Sequence, residues 1–207
     1  MPSEVDAEPV FRRAVQALAA GDPAASTLLP ALEGFPEYGP GWLAVGDVLL
    51  RAGRRDAALI ALRRAVRAAP QSRDAIHRLG QCLIALGQSE AAIAAFRHAL
   101  TIAPRSAETW YSLGLALQDG RHHAAAADAY RAALMSRPEF HEAALNLGIA
   151  LQEQGRMEEA LDAYAAALRN RPDSFGRIAQ ALVSGRAGAL WLRPEALRTL
   201  LTTSVGA

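Results

Sequence analysis

The chain has no lysine, one cysteine and few aromatic residues, and its net charge is close to zero. A single cysteine, Cys82, excludes an internal disulfide. All 22 basic residues are arginine and face 21 acids, so a net charge of +1 gives no overall electrostatic case for nucleic-acid binding. No apolar run approaches the roughly 20 residues that span a bilayer, and the N-terminal MPSEVDAEPV lacks the apolar segment of a secretory signal. These absences predict a cytoplasmic protein that does not insert into membranes.

Several residues recur at intervals of 34 positions along most of the chain. The series are one of prolines, one of glycines and two of alanines: Pro36, Pro70, Pro104, Pro138 and Pro172; Gly46, Gly80, Gly114 and Gly148; Ala58, Ala92, Ala126 and Ala160; Ala65, Ala99, Ala133 and Ala167. A period of this length is typical of stacked helical hairpins. Because 51% of the residues are hydrophobic, the chain can build a continuous core. The pattern therefore predicts an all-α solenoid of antiparallel helix pairs, a fold that usually offers a long surface to a partner.

Each 34-residue segment carries the pattern of two helices. Apolar residues at helical spacing mark the first helix, such as Trp110, Leu113 and Leu117 in the third segment. A glycine that can adopt the left-handed conformation is expected to end this helix, and these glycines are Gly53, Gly87, Gly120 and Gly155. The second helix should end just before the proline, because the residue that precedes a proline disfavours helix.

The glycines midway along the first helices predict a close approach by the second helix. Glycine costs a helix about 1 kcal/mol relative to alanine, so the recurring Gly46, Gly80, Gly114 and Gly148 need a packing reason. We expect the small residue that meets each glycine to be Ala58, Ala92, Ala126 or Ala160. One larger residue in each segment would then fill the gap between hairpins: Leu62, Phe96, Tyr130 or Tyr164.

These residues resemble the tetratricopeptide repeat. The third segment matches that pattern best, with Trp110, Leu113, Gly114, Leu117, Ala126, Tyr130, Ala133 and Pro138. The other segments depart at single positions, with Val45 and Leu62 in the first, Ile76 in the second and Ala144 in the fourth. The resemblance covers about residues 39–172 and implies a right-handed superhelical array of helix pairs.

The resemblance implies four repeats, 39–72, 73–106, 107–140 and 141–174, between two divergent ends. Residues 1–38 are expected to form a divergent hairpin with helices near 6–20 and 22–34, and Pro30 should kink or shorten the second of them. Residues 175–207 leave the repeat pattern and should form capping helices near 174–184 and 194–203, with Trp191, Leu197 and Leu201 turned inwards.

The residues that could carry catalysis or bind a metal are few. His122 and His123 are adjacent in a turn, with no cysteine or acidic cluster at ligand spacing nearby. Cys82 with His77 would suggest a thiol nucleophile, but Cys82 shares its repeat position with small residues, which favours an inert packed thiol. The segment GRAGAL at 185–190 lacks the lysine of a phosphate-binding loop. We expect no enzymatic activity, no metal and no cofactor.

In tetratricopeptide folds the first helices line the concave face, and a bound partner would contact positions 5, 6, 9 and 12 of each repeat, numbered from residues 39, 73, 107 and 141. Those positions hold Leu43, Ala44, Asp47 and Leu50; His77, Arg78, Gln81 and Ile84; Tyr111, Ser112, Leu115 and Gln118; Leu145, Asn146, Ile149 and Gln152. All of them except Ala44, Leu50 and Ile84 make up the predicted binding groove. Their i, i+4 spacing places them on one face of each helix.

The residue types at these positions favour some uses of the fold over others. Members that clamp a chaperone's carboxylate tail use lysine, arginine and asparagine here, and only Arg78 and Asn146 match. Members attached to sugar transferases carry an asparagine ladder, to which only Asn146 would belong. What remains is an apolar stretch flanked by glutamines, which consists of Tyr111, Leu115, Leu145 and Ile149. It is suited to an extended or helical apolar partner segment. It could instead be covered by the chain's own tail or be ordinary exposed surface.

The prediction is a non-enzymatic scaffold or adaptor that binds a protein or peptide partner, without nucleic acid. Two alternatives stay open, an adaptor subunit for a separate transferase and a secretion-type chaperone for an apolar segment. The distribution of charge predicts one further partner, a second copy of the chain. Residues 51–78 hold eight arginines and two acids, whereas residues 139–163 hold six acids and one arginine. This separation would allow weak head-to-tail self-association that fades as salt rises.

Overall fold

A computed structural model of the protein describes residues 4–184. Within that range the chain is helical and has no β-strand. The helices are α1 Glu4–Ala20, α2 Ala25–Ala31, α3 Gly39–Arg51, α4 Arg55–Ala68, α5 Arg73–Ala85, α6 Ser89–Ile102, α7 Ala107–Asp119, α8 His123–Ser136, α9 His141–Glu153, α10 Met157–Asn170 and α11 Phe175–Ser184, with 3₁₀ turns at Leu32–Gly34 and Pro172–Ser174. The predicted helix at 194–203 and the inward-facing Trp191, Leu197 and Leu201 lie outside the described residues.

The chain forms two compact units, Met1–Pro104 and Arg105–Ala207. In the first unit α3 packs on α4 and α5 on α6; in the second, α7 packs on α8 and α9 on α10. Short turns join the two helices of each pair, so they run antiparallel. The predicted all-α fold of antiparallel helix pairs is confirmed. No helix among residues 4–184 has the length and apolar character that crossing a bilayer requires.

The first two helices close the N-terminal end of the first unit. The ring of Phe11 on α1 lies edge-on to Tyr38 and Trp42, with centroids 5.3 and 5.2 Å away. The second predicted helix is shorter than 22–34, because α2 contains Pro30 and gives way to a 3₁₀ turn after Ala31. Pro30 therefore shortens the helix, as expected from its missing N–H and its ring.

The recurring glycines Gly46, Gly80, Gly114 and Gly148 occupy position 8 of each repeat. They are sites of close approach, but the residue that approaches them is not the predicted alanine. A Cβ built on Gly114 would lie 2.4 Å from the Tyr130 ring, and one on Gly148 would lie 2.4 Å from Tyr164. Gly46 and Gly80 meet Leu62 and Phe96 in the same way, each at 2.6 Å. The expected partners, the alanines of position 20, are buried but are not the nearest atoms. Position 24 of each repeat holds the large residue, which is Leu62, Phe96, Tyr130 or Tyr164. This residue packs on the glycine of its own hairpin, and its bulk explains why no side chain fits at the glycine position.

The turns within the repeats correct a second prediction. Gly53, Gly87 and Gly155 have φ near +70° (73°, 71° and 75°), whereas Gly120 has φ −74° and the left-handed residue is Arg121, with φ 61°. In each turn the residue after the left-handed one donates its N–H to a carbonyl five residues back, as His122 does to Leu117 at 2.8 Å. This hydrogen bond fixes where the chain must turn. Arg121 takes the strained conformation because the glycine lies one residue too early.

Arg121→Gly should therefore stabilise the protein. A left-handed conformation costs a non-glycine residue about 1–2 kcal/mol, and the greater freedom of glycine when unfolded offsets part of that gain. We expect a net gain of about 0.5–1 kcal/mol, or a melting temperature higher by about 1–4 °C. Arg97→Gly, at an exposed site inside α6, is the matched control and should lower the melting temperature. Equal losses in both variants would show that the turn at Arg121 is unstrained.

The start of α11 keeps the repeat frame, which the sequence pattern did not predict. Helices α3, α5, α7 and α9 begin at Gly39, Arg73, Ala107 and His141, and α11 begins at Phe175, again 34 residues later. Its positions 4 and 8 hold Ile178 and Leu182, which are both fully buried. The pattern was missed because leucine replaces the glycine of position 8. The division into four repeats with divergent ends remains a proposal.

Candidate functional site

In the first unit, the predicted groove positions form a polar, partly closed surface. Leu43 and Leu50 pack against the core and are only partly exposed. Asp47 and Arg78 form an ion pair, with 3.0 Å between Oδ1 and Nε. Arg78 also donates to Gln81 at 2.9 Å. The guanidinium is therefore held by two neighbours within the unit, which weakens any use of it as a clamp for a partner's carboxylate.

His77 packs against an aromatic residue of the second helix of its repeat. Its ring lies edge-on to Phe96, with centroids 5.4 Å apart. Cys82 was considered with His77 as a thiol nucleophile. It is buried, and its Sγ–H contacts the carbonyl of Arg55 at 3.5 Å. Burial, with a smaller contribution from Asp56, raises the pKa of the Cys82 thiol. A thiol held neutral in this way is a poor nucleophile.

In the second unit, Tyr111 and Asn146 join two neighbouring first helices. Asn146 Nδ2 donates to the Tyr111 hydroxyl at 3.1 Å. The Tyr111 ring lies 4.8 Å from the ring of Phe140, which Arg137 covers from 3.7 Å. Burial, more than the nearby Glu142, raises the pKa of Tyr111. The hydroxyl thus stays protonated at neutral pH, accepts from Asn146 and still has its own proton to donate.

Gln118 and Gln152 have an internal role that the sequence did not show. The hydroxyl of Tyr130 donates to Gln118 Oε1 at 3.0 Å, and that of Tyr164 donates to Gln152 Oε1 at 2.8 Å. Gln152 is only 2% exposed, and its Nε2 donates to the carbonyl of Ala181 on α11 at 3.1 Å. These glutamines accept the hydrogen bonds that buried phenols require.

The sequence did contain a signal for this role, because positions 12 and 24 change together. The first two repeats pair Leu50 with Leu62 and Ile84 with Phe96, both apolar. The last two pair Gln118 with Tyr130 and Gln152 with Tyr164. A polar residue at position 12 thus accompanies a phenol at position 24.

Two further predicted groove residues are buried. Leu145 is 2% exposed and Ser112 is 6% exposed. Together with Gln152, they are corrections to the predicted exposed face, because a partner at the surface cannot reach them. The helix that carries Leu145 and Gln152, α9, contacts α8, α10 and α11 and is therefore covered on more sides than the repeat pattern alone indicates.

Position 9 forms the apolar part of the surface in the second unit. Leu115 and Ile149 are partly exposed, and the next residue in the series, Val183 on α11, is 71% exposed. The same position in the first unit holds Asp47 and Gln81. Sequence reasoning missed Val183 because α11 was not placed in the repeat frame. Val183 lies 34 residues after Ile149, so extending the repeat frame by one more period would have identified it.

The described residues offer little for metal binding. Between residues 4 and 184 no group of three or more histidine, cysteine or acidic side chains is arranged to hold a metal ion.

Some of the charged residues in the basic and acidic segments already have partners within the chain. Arg64 pairs with Glu33 at 2.6 Å and covers Trp42, and Glu159 pairs with Arg156 at 2.7 Å. The head-to-tail self-association stays a prediction.

Comparisons with known proteins find solved structures of similar fold. Among solved structures, the chain is similar to MamA protein (22% identity over 81% of this chain and 93% of that chain, TM-score 0.73). It is also similar to MamA 41-end from Desulfovibrio magneticus RS-1 (19% identity, 84% and 98% covered, TM-score 0.71). A third similar structure is YrrB, described as a TPR protein with an unusual peptide-binding site (21% identity, 84% and 90% covered, TM-score 0.71).

These likenesses concern the fold, and a comparison with curated proteins finds no match. The family model of the tetratricopeptide repeat matches residues 11–73, 43–107 and 111–175, which together make up more than half of the chain. The chain therefore belongs to the tetratricopeptide repeat family.

Proposed function

We propose that the protein is a non-enzymatic scaffold that binds an extended apolar segment of a protein partner on the second unit. The binding surface consists of Tyr111, Leu115, Asn146, Ile149 and Val183, here called the Tyr111 patch. The observation that carries the proposal is the apolar series at position 9, with Leu115 and Ile149 partly exposed and Val183 exposed, beside a hydrogen-bonded tyrosine and asparagine. Members of this family are typically interaction modules without catalysis, which supports a binding role.

The apolar half of the Tyr111 patch would supply affinity. Leu115, Ile149 and Val183 belong to three different helices, α7, α9 and α11. The hydrogen bond of 3.1 Å between Asn146 and Tyr111 shows that α7 and α9 are neighbours, so a segment that crosses these helices would meet the three side chains one after another. A polyproline II segment rises about 3.1 Å per residue with three residues per turn. We propose that every third side chain of such a segment meets one helix of the patch.

The polar half of the Tyr111 patch favours an extended segment over a helix. Asn146 uses one N–H on Tyr111, and an amide has a second N–H and an acceptor oxygen. The Tyr111 hydroxyl has its own proton to donate. The backbone N–H and C=O groups of an extended segment have no internal partners, so these side chains can form hydrogen bonds with them. In a helix the same backbone groups already bond to one another. YrrB, which has a similar fold, is described as having an unusual peptide-binding site, and this is in line with a peptide as the ligand.

The narrower roles stay predictions. An adaptor for a separate transferase and a secretion-type chaperone would both bind a partner segment, and both fit the Tyr111 patch. The segment that we propose carries apolar residues at three-residue spacing on an extended backbone.

A peptide display library of random twelve-residue segments tests the proposal. Enriched peptides should carry apolar residues three apart, and Leu115→Glu or Ile149→Glu should weaken their binding more than tenfold, since a buried unpaired carboxylate is unfavourable. Met135→Glu is the matched control, because Met135 on α8 is 86% exposed and lies outside the patch. Fluorescence anisotropy with labelled peptides gives the affinities. Peptides that bind Leu115→Glu as tightly as the parent would place the site elsewhere.

A further inference from the structure

An arginine at position 25 of a repeat can bind two carboxylates, as Arg131 on α8 shows. Its Nη1 lies 3.0 Å from Oδ1 of Asp128, which is at position 22 of the same helix. Its Nη2 lies 3.2 Å from Oε2 of Glu159, which is at position 19, on the second helix of the next repeat. Position 25 in this unit therefore faces one residue of its own helix and one residue of the following second helix.

In the first unit, the same positions hold an arginine without the two acids. Position 25 of α4 is Arg63, position 22 is Ile60, and position 19 of α6 is Ala91. All three residues are exposed, and Ile60 is 60% exposed. The arginines of the first unit that form ion pairs with described residues are Arg12, Arg64, Arg73 and Arg78. Within residues 4–184 the guanidinium of Arg63 therefore lacks both partners that Arg131 has.

Two further arginines extend this surface. Arg67 follows Arg63 by one turn on the same face of α4, and Arg97 occupies position 25 of α6, where position 22 is the exposed Ala94. Arg67 and Arg97 are exposed and also lack an ion pair within the described part of the first unit. The surface, here called the Ile60 patch, consists of Ile60, Arg63, Arg67, Ala91, Ala94 and Arg97. It combines an exposed isoleucine with three guanidinium groups.

We propose that the Ile60 patch binds an acidic segment of a protein partner, as a binding site separate from the Tyr111 patch. Carboxylates of that segment bond to Arg63 in the way that Asp128 and Glu159 bond to Arg131, since the planar guanidinium matches the geometry of a carboxylate. An apolar side chain between the acids covers Ile60 and removes apolar surface from water. The partner segment thus carries acids on both sides of an apolar residue.

Other occupants fit the Ile60 patch less well. The acidic residues 139–163 of a second copy would supply charge, but the exposed large apolar residues among residues 4–184 are Ile60, Met135 and Val183, and none of them lies in that segment. Residues 185–207 hold a single acid, Glu195. A nucleic acid backbone has phosphates but no apolar side chain for Ile60, and binding to a membrane surface needs more apolar area than one isoleucine.

A peptide display library of twelve-residue segments rich in aspartate and glutamate, selected on the full chain, tests the proposal. The enriched peptides should carry an apolar residue between acids. Ile60→Asp with Ala91→Glu gives Arg63 the two carboxylates that Arg131 has, so this double variant should bind the peptides about tenfold more weakly or worse in fluorescence anisotropy. Its melting temperature should stay close to that of the parent, because both positions are exposed.

Gln16→Glu with Ala19→Asp is the matched control, because it adds the same charge at exposed positions of α1 and should change the affinity by less than about twofold. Arg63→Gln, which introduces no acid, should weaken binding about threefold and keeps the test valid if the double variant does not fold. Equal losses in the control and the double variant, or peptides that bind the parent and both patch variants alike, would overturn the proposal.

The other occupants give distinct results that also overturn the proposal. If a second copy fills the Ile60 patch, the parent will sediment as a dimer without peptide and Ile60→Asp with Ala91→Glu as a monomer. If the ligand is a phosphate surface, no acidic peptide will be enriched. Vesicles that contain phosphatidylserine, or a DNA duplex, will then bind the parent and not the double variant.

Discussion

Gly114→Leu is expected to lower the free energy of unfolding by about 3 kcal/mol or more, at or above the upper end of the usual range for overpacking. Even a Cβ at this position would lie 2.4 Å from Cε1 and 2.6 Å from Cδ1 of Tyr130. The ring cannot swing aside without breaking its hydrogen bond to Gln118. The main chain of α7 and α8 must therefore move apart, and the melting temperature should fall by about 6–12 °C.

Gly176→Leu is the matched control for this substitution. Gly176 lies on α11 in the same unit, and a Cβ built there has no atom within 4 Å. Leucine is also a better helix former than glycine, so this variant should be neutral or slightly more stable. Thermal unfolding followed by circular dichroism measures both changes. A Gly114→Leu protein that melts within a degree of the parent would mean that the Tyr130 ring is free to move and that the packing argument is wrong.

The sequence predicted the helix pairs well because the feature that defines them repeats. In each of the four repeats a glycine meets a large side chain from its own hairpin. The same packing constraint therefore recurs four times in the sequence, at Gly46, Gly80, Gly114 and Gly148. The choice of neighbour was wrong for a simple reason. Ala58 and Leu62 are four residues apart and lie on one face of α4, and spacing alone does not say which of the two reaches the glycine.

The site was predicted less completely, because exposure depends on neighbours outside the repeat. Gln152 has the spacing of a surface residue, but the buried Tyr164 hydroxyl and the Ala181 carbonyl both bond to it. Val183 was overlooked because α11 has lost the glycine by which repeats are recognised. Arg121 illustrates a third limit, since the hydrogen bonds of the turn fix its conformation regardless of the residue type.

Tyr164→Phe and Gln152→Ile should each destabilise the protein, and the two changes together should cost less than their sum. Phenylalanine removes the donor to Gln152 Oε1, and isoleucine removes the acceptor of the Tyr164 hydroxyl. Each single change leaves a buried polar group without its partner, which costs about 1–3 kcal/mol. The double variant reproduces the apolar pair Ile84 and Phe96 of the second repeat.

We therefore expect a coupling energy of about 1–2 kcal/mol between the two positions in urea denaturation at neutral pH. The double variant should not reach the stability of the parent, because the Ala181 carbonyl still loses its donor. The pair Tyr130 and Gln118 is the control: Gln118 is only partly buried, so water can replace the lost bond and Tyr130→Phe should cost less. Strictly additive effects of Tyr164→Phe and Gln152→Ile would show that the hydrogen bond does not contribute.

Burial of the Tyr164 hydroxyl gives an alkaline limit to stability. Burial raises the pKa of Tyr164 above its ordinary value, so the folded protein holds the phenol proton more tightly than the unfolded chain does. The stabilising contribution is complete below the unfolded pKa, about 10, and is lost as pH rises from there through the folded pKa. Tyr164→Phe has no proton to lose at this site. Its deficit relative to the parent should therefore shrink above about pH 10, and an unchanged deficit between pH 8 and about pH 11 would contradict the assigned role of the buried hydroxyl.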